Sequence, residues 1–399
     1  MSDIEKRFVT GLNENKFEKG SGSGSFNYLI VGAGLSGAVV ARRAAEKGKR
    51  VLIVEKRNHI AGNCYDYIEE NGLRVSQYGP HFFHTNRDRV WNFVQRFATW
   101  VPWEHRVCAY VKEAKKYVPV PVNITTVNEL FGEEITDEQG MSSWLQKEQI
   151  PCSAPINSRD VGLARAGPRL YELLFRNYSV KQWERDPLDL DPSVLARIPV
   201  RSNFDDRYFT DKYQALPKDG YTAMVANMLN HPNIEVRLDS DFFSDRHSLQ
   251  NFEKCFYTGP IDRFYADRGL DKLEYRSVIF DWKTEEVETS HTLIYPRSQT
   301  NFPSLDYKHT RITEYKHILG QQPKDERRVT VLATEYSVSN GDPYYPVPND
   351  RNRDLFLKYK ELGEQEKDVI FVGRLASYKY FNMDEAISAA LECCDANGL

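Results

Sequence analysis

The stretch Tyr28-Leu29-Ile30-Val31-Gly32-Ala33-Gly34-Leu35-Ser36-Gly37 decides the fold. Four apolar residues with strand preference run into a glycine turn, and an Ala-rich helical pattern follows to about Lys47. A second apolar run, Val51-Leu52-Ile53-Val54, reads as a buried parallel strand, so the segment is a βαβ unit opening an α/β domain. The three glycines serve different ends. Gly32 permits the turn, Gly34 lets the backbone approach a pyrophosphate, and Gly37 allows helix and strand to pack closely. Leu35 and Ser36 open the helix, whose N-terminal amides favour negative charge. Glu55 ends the second strand where the dinucleotide fingerprint needs an acid, to accept hydrogen bonds from the adenosine ribose hydroxyls.

The next residues, Lys56-Arg57-Asn58-His59-Ile60-Ala61-Gly62-Asn63, resemble the flavoprotein extension in which a small pair after the acid approaches the cofactor. That resemblance implies FAD rather than NAD, with Lys56, Gly62 and Asn63 beside it.

Outside this unit, composition mainly excludes. At 399 residues the chain exceeds the usual reach of one hydrophobic core, so two or three packed subdomains are expected. A formal charge of -4 offers no bulk attraction for nucleic acid or anionic membrane, so any anion site must be built locally. Six cysteines without a CxxC pair read as reduced thiols, which points to the cytoplasm. The apolar stretch from Tyr28 to Ala41 is too short to span a bilayer and no signal-peptide pattern precedes it, so a soluble protein is expected. Residues 1–25 end in alternating Gly and Ser and read as a disordered polar arm. Helical periodicity dominates from 123 to 197, with Gly167 to Trp183 as one amphipathic helix running into a loop. Alternating residues such as Val329 to Thr334 suggest an antiparallel sheet over 263–345, and the α/β pattern returns near Val236 and Val369.

Tyr78-Gly79-Pro80-His81-Phe82-Phe83-His84-Thr85-Asn86 closely resembles the bacterial UDP-galactopyranose mutases. So do Lys181-Gln182-Trp183, Arg197-Ile198-Pro199-Val200-Arg201, Glu274-Tyr275-Arg276, Thr310-Arg311-Ile312, Pro343-Tyr344-Tyr345-Pro346 and Gly373-Arg374-Leu375. The resemblance implies a Rossmann-like FAD-binding domain (26–95, 217–262 and 346–399), an inserted helical bundle (123–197) and an antiparallel β-sheet domain (96–122, 198–216 and 263–345). It also implies interconversion of UDP-galactopyranose and UDP-galactofuranose without net oxidation, in which reduced flavin N5 attacks the anomeric carbon and expels UDP. NAD(P)H is a plausible reductant, and a homo-oligomer is expected.

By the same resemblance Arg197 and Arg311 clamp the diphosphate, a role suited to the planar guanidinium. Tyr208, Tyr345 and Tyr380 add hydroxyl donors. Phe175, Tyr178 and Trp183 frame a slot for uracil, and Asn203, Arg276 and His105 also face substrate. Residues 184–197 form a mobile lid. His81 and His84 lie beside the flavin, where an imidazole titrating near neutral pH would steer protonation or bond a backbone carbonyl; a metal between them lacks a third ligand. Gly373, Arg374, Asn382 and Met383 contact the flavin. Asn382 stands where many relatives have aspartate, and His105 where many have asparagine, so UDP-N-acetylgalactosamine and UDP-arabinose stay open as substrates. A flavin amine oxidase-like oxidoreductase and a flavin-bound nucleotide sensor are the competing classes.

Overall fold

The computed structural model describes residues 25–249 and 251–399. The polar arm expected at the N-terminus therefore lies, apart from Ser25, outside the described residues.

Five parallel strands build the first sheet, in the order Ile234–Arg237, Val51–Val54, Tyr28–Val31, Lys254–Tyr257 and Val369–Phe371. Numbered along the chain this is 3-2-1-4-5, the Rossmann order, whose direction reverses between the first and fourth strands. The loops beginning at Gly32 and Thr258 lie side by side at that switch point, where a ligand is expected. Strand residues Ile30, Val51 and Ile53 are wholly buried, as a sheet covered on both faces requires. Helix Leu35–Glu46 buries Ala38, Val39, Val40 and Ala41, and packs on the C-terminal helix Met383–Ala396.

A second sheet has seven strands, ordered Tyr345–Pro346, Tyr275–Glu286, Val329–Val338, Arg311–Glu314, Gln299–Asn301, Val107–Val111 and Lys116–Val120. Its pairings are antiparallel except one: Gln299–Asn301 runs parallel to Val107–Val111. Two separate excursions of the chain meet at that join, and no hairpin connects them to impose opposite directions. A small sheet, Phe83–Thr85, Tyr213–Pro217 and Trp100–Pro102, packs against the C-terminal helix Met383–Ala396.

Helices from Ile124–Phe131 to Asn177–Trp183 pack Val127, Met141, Leu170 and Tyr171 against Val107, Val118 and Val120. Asn123 starts this group with a capping box, its side chain accepting from the Thr126 amide. The helix expected from Gly167 to Trp183 is more complex than its periodicity suggests. Gly167 is non-helical (φ 77°, ψ 166°), and Pro168 restarts the helix, its fixed φ and missing N–H suiting a first turn. Tyr171–Arg176 then widens into a π-turn before Asn177–Trp183, and Glu184 ends the element with φ 51°. Such a wide turn rotates the following residues relative to a regular helix.

Candidate active site

A cavity of about 640 Å³ runs from the Rossmann switch point to the junction of the large antiparallel sheet with the helices. That volume suits a large ligand.

At its first end stand Gly32, Gly34, Leu35, Ser36, Glu55, Lys56, Gly62 and Asn63. Gly32 has φ 104°, and a Cβ there would lie 2.2 Å from Thr258 Oγ1, so conformation and space both require glycine. Thr258 is held by donating its hydroxyl to Val31 O at 2.7 Å. Gly37 does not line the cavity; a Cβ on it would meet Gly32 O at 2.0 Å, the close packing its position predicts. The helix begins at Gly34 without a side-chain cap and has no acid in its first turn. Its leading amides are thus left to an anion. Glu55 is buried, and its two oxygens accept from Ala33 N (2.9 Å) and Arg57 N (3.0 Å), leaving further lone pairs for a ligand. Lys56 and Arg57 both pair with Asp342, and Arg57 stacks on Tyr78 at 4.3 Å and donates to Asn63.

Gly373, Arg374, Asn382, Met383, Cys64 and His81 form the middle. His81 Nδ1 donates to Gly79 O at 3.0 Å, which leaves Nε2 as an acceptor. Burial, then the Arg374 and Arg311 charges, bring its pKa to about 4. Of the two uses expected of this imidazole, the bond to a backbone carbonyl is the one present here. His84 also lines the cavity, stacked on Phe209 (3.6 Å) with Nδ1 3.0 Å from Asp211 Oδ2. Among the described residues no group of three or more His, Cys, Asp or Glu is placed to hold a metal ion.

The far end collects Phe175, Tyr178, Trp183, Arg197, Tyr208, Arg311, Tyr345, Tyr380 and His105. Arg311 Nε donates to the buried Glu335 carboxylate at 2.8 Å. Burial opposes the Arg311 charge, but Glu335, Tyr178 and Tyr345 outweigh it and hold the pKa well above the usual range. Arg197 is likewise opposed by burial and supported by Tyr380, Tyr208 and Tyr345. Tyr345 thus faces both cations; burial first, with Tyr380, pushes it up to about 12, so its hydroxyl remains a donor. His105 stacks on Phe82 (3.6 Å), and Nε2 donates to Gln299 at 2.9 Å. Its Nδ1 is buried without a partner, and burial lowers its pKa to about 3, so the ring offers one bare acceptor.

Two expected substrate residues are elsewhere. Arg276 is 2 % exposed and does not line the cavity; Nε donates to Gln182 O (3.0 Å), and its other nitrogens reach Ser337, Ser339 and Glu184. It fastens the end of the Tyr178–Trp183 helix. Asn203 also lies off the cavity, where Oδ1 accepts from Asp205 N at 3.0 Å and stabilises its own turn. Sequence reading missed Glu335, Asp211 and Thr258. Glu335 had a signal, a carboxylate within the apolar run Val329–Val338 that must find a partner.

Residues 30–97 match an NAD(P)-binding Rossmann-like domain, and residues 173–380 match the family described as UDP-galactopyranose mutase. A probable UDP-galactopyranose mutase of Klebsiella pneumoniae is 36% identical over 92% of this chain and 94% of its own. A dTDP-fucopyranose mutase of Escherichia coli is 35% identical over 92% and 96%. The solved structure of a reduced UDP-galactopyranose mutase has the same fold, with TM-score 0.73 over 94% of both chains at 15% identity. Matched along nearly its whole length, with a dinucleotide loop and two arginines opening on one cavity, the chain belongs to the UDP-galactopyranose mutase family of isomerases.

Proposed function

We propose that this protein interconverts UDP-galactopyranose and UDP-galactofuranose, using FAD in its reduced form and with no net redox change. The carrying observation is that Arg197 and Arg311 face the same tyrosine, Tyr345, at one end of a cavity whose other end is a dinucleotide loop. The residues present fit a flavin dinucleotide. The uncapped helix start suits its pyrophosphate, and Glu55 suits the adenosine ribose. Gly373, Arg374, Asn382 and Met383 supply the wall beyond. When bound and reduced, the flavin supplies the nucleophile for the anomeric carbon.

The chain's own groups do the rest. Arg197 and Arg311 hold the negative charge that grows on the diphosphate as its bond to the sugar breaks. Glu335 fixes the direction of the Arg311 fork, while Tyr208, Tyr345 and Tyr380 donate hydroxyls to the same oxygens. Phe175, Tyr178 and Trp183 take the flat base. His105 Nδ1 accepts from a sugar hydroxyl, and neutral His81 presents Nε2 as an acceptor beside the cofactor. Residues 184–197 act as a lid that brings Arg197 onto the diphosphate and excludes water. In support, Leu190 and Val194 pack with Trp183 and Tyr345.

The nearly equal identity to the dTDP-fucopyranose mutase supports a second reading, the same reaction on a dTDP-6-deoxyhexose. The test is to reduce the purified yellow protein with dithionite and follow ring interconversion of UDP-galactofuranose and dTDP-fucofuranose by chromatography. Faster turnover identifies the substrate, and inertness toward both in the flavin-loaded, reduced protein sinks the mutase reading.

A further inference from the structure

Lys181 sits on the helix that carries Tyr178 and Trp183, yet its ammonium points away from the cavity into a ring of backbone carbonyls. Nζ lies 3.0 Å from Ser304 O, 3.1 Å from Tyr307 O and 2.8 Å from His309 O, and it also bonds Phe302 O. Three N–H donors face four acceptors, so at least one N–H is shared and the ring is held by the charge as well as by hydrogen bonds. Burial lowers the pKa to about 8. Removing the side chain would take this donor from all four partly buried carbonyls, Ser304 O keeping Tyr307 N at 3.3 Å, and a lost donor in such a site is costly.

All four carbonyls come from the loop joining strands Gln299–Asn301 and Arg311–Glu314. That loop is closed by Phe302 N donating to Thr310 O at 2.9 Å, and Thr310 N donates to Glu335 O at 2.9 Å. His309, inside the ring, is two residues from Arg311. Asn301, Pro303 and Arg311 line the cavity from this side, and Tyr178 and Trp183 line it from the helix. The ammonium is therefore a tie between the arginine loop and the aromatic slot.

We propose that Lys181 is a positioning residue, an internal monovalent cation whose carbonyl cage sets Arg311 against Tyr178 and Trp183. The cage, once emptied by truncation, takes a small monovalent cation. This rests on the reading of Arg311 as a diphosphate ligand. The choice of charge follows from the ligands: neutral carbonyls replace the hydration shell of a monovalent ion, whereas divalent ions are held chiefly by carboxylates and water.

The experiment compares flavin-loaded wild type, Lys181→Ala and Lys181→Arg in choline, potassium and ammonium chloride at equal ionic strength, well below the melting temperature. Lys181→Ala in choline is expected to lose roughly tenfold or more in UDP affinity and kcat/KM, the scale set by small misplacements of binding groups. Ammonium restores most of both, potassium part, and wild type responds to neither. Lys181→Arg keeps the charge, but its planar fork does not fit the ring, so it shows a loss that no cation reverses. A purely structural role would lower the melting temperature without cation-specific recovery of UDP affinity. Wild-type values for Lys181→Ala in choline, or a loss that ammonium leaves untouched, overturn the proposal. If Lys181→Ala does not fold, Lys181→Arg decides, and wild-type kinetics there overturn it. An inert wild type sinks the mutase reading alone, since cation-dependent UDP binding by Lys181→Ala is read without turnover.

Discussion

The guanidinium carbon of Arg197 lies 4.2 Å from the centroid of the Tyr380 ring, and that ring stacks on Tyr345 at 4.9 Å. Tyr345 in turn stands within electrostatic reach of Arg311 and Arg374, the latter 5.5 Å from its centroid. Two aromatic faces are thus interposed among cations that repel one another; ring contact holds Arg197 and Arg374, and the Glu335 carboxylate holds Arg311. Arg311, fixed by the buried Glu335 carboxylate, is in place before any anion enters, which is how preorganised charge lowers a barrier.

Replacing either cation by alanine should therefore strike turnover and leave cofactor binding alone. Arg197→Ala and Arg311→Ala are expected to lower kcat by about 100- to 1000-fold, the scale for removing one preorganised partner of developing charge. Flavin absorbance should stay. A variant that purifies colourless would show that the arginine belongs to the cofactor site instead.

The division between what was legible and what was not follows the range of the forces involved. Gly32 to Gly37 and Glu55 could be read because a glycine turn, a helix start and an acid at a strand end are local events. Arg276 and Glu335 could not be placed, because their surroundings depend on register. Glu335 pairs with Arg311 only because Arg311–Glu314 lies antiparallel to Val329–Val338, and Arg276 finds Ser337 on that same distant strand. The downward push on the His81 pKa comes from its burial and the nearby Arg374, neither visible in the chain order.

Glu335→Gln tests the partner of Arg311. The amide keeps the shape but not the charge, so Arg311 loses its counter-charge and keeps only a bond to a neutral acceptor. The expected cost is about 1–3 kcal/mol of stability, checked by urea unfolding. UDP affinity should also fall, since a freer guanidinium pays more entropy on binding. Unchanged stability and unchanged affinity together would remove Glu335 from the site.

Acid should unfold this protein earlier than its carboxylates alone would dictate. His81 and His105 are held by burial at about 4 and about 3 in the folded state, against an ordinary value of about 6.5 unfolded. As pH falls below about 6.5 the unfolded chain takes up protons that the folded chain refuses. The stability they contribute is full above that value and is lost progressively as pH drops toward their folded values. Melting temperature measured across this range should decline less steeply in His81→Gln and His105→Gln than in wild type. Parallel curves would mean that both rings titrate in the native protein as they do in the unfolded chain.

Gly32→Ala should leave the protein colourless. The methyl group would fall 2.2 Å from Thr258 Oγ1 in a backbone conformation, φ 104°, that alanine adopts at a cost of about 1–3 kcal/mol. Adding Thr258→Ala removes the collision but not the backbone strain. The double variant is therefore expected to regain flavin only in part, as read from absorbance after reconstitution with excess FAD. Full recovery would assign the whole effect to the side-chain collision.

Arg276 separates a direct contact from an indirect one. Its nitrogens hold Gln182 O, Ser337 and Glu184, and Gln182 immediately precedes Trp183 on the cavity wall. Arg276→Ala takes one of two donors from the half-buried Gln182 carbonyl, which keeps Ser337 Oγ, and leaves Glu184 without its cation, so stability should drop by about 1–3 kcal/mol. With the helix end loosened, Trp183 should be held less firmly, and UDP affinity should fall because the slot must be ordered on binding. Arg276→Lys cannot reproduce a planar fork shared among a carbonyl, a hydroxyl and a carboxylate, and should recover little. The decisive reading is the combination with Trp183→Ala. If Arg276 acts through the aromatic wall, the double variant binds UDP no worse than Trp183→Ala alone. Additive losses would mean that Arg276 reaches the nucleotide independently of that wall.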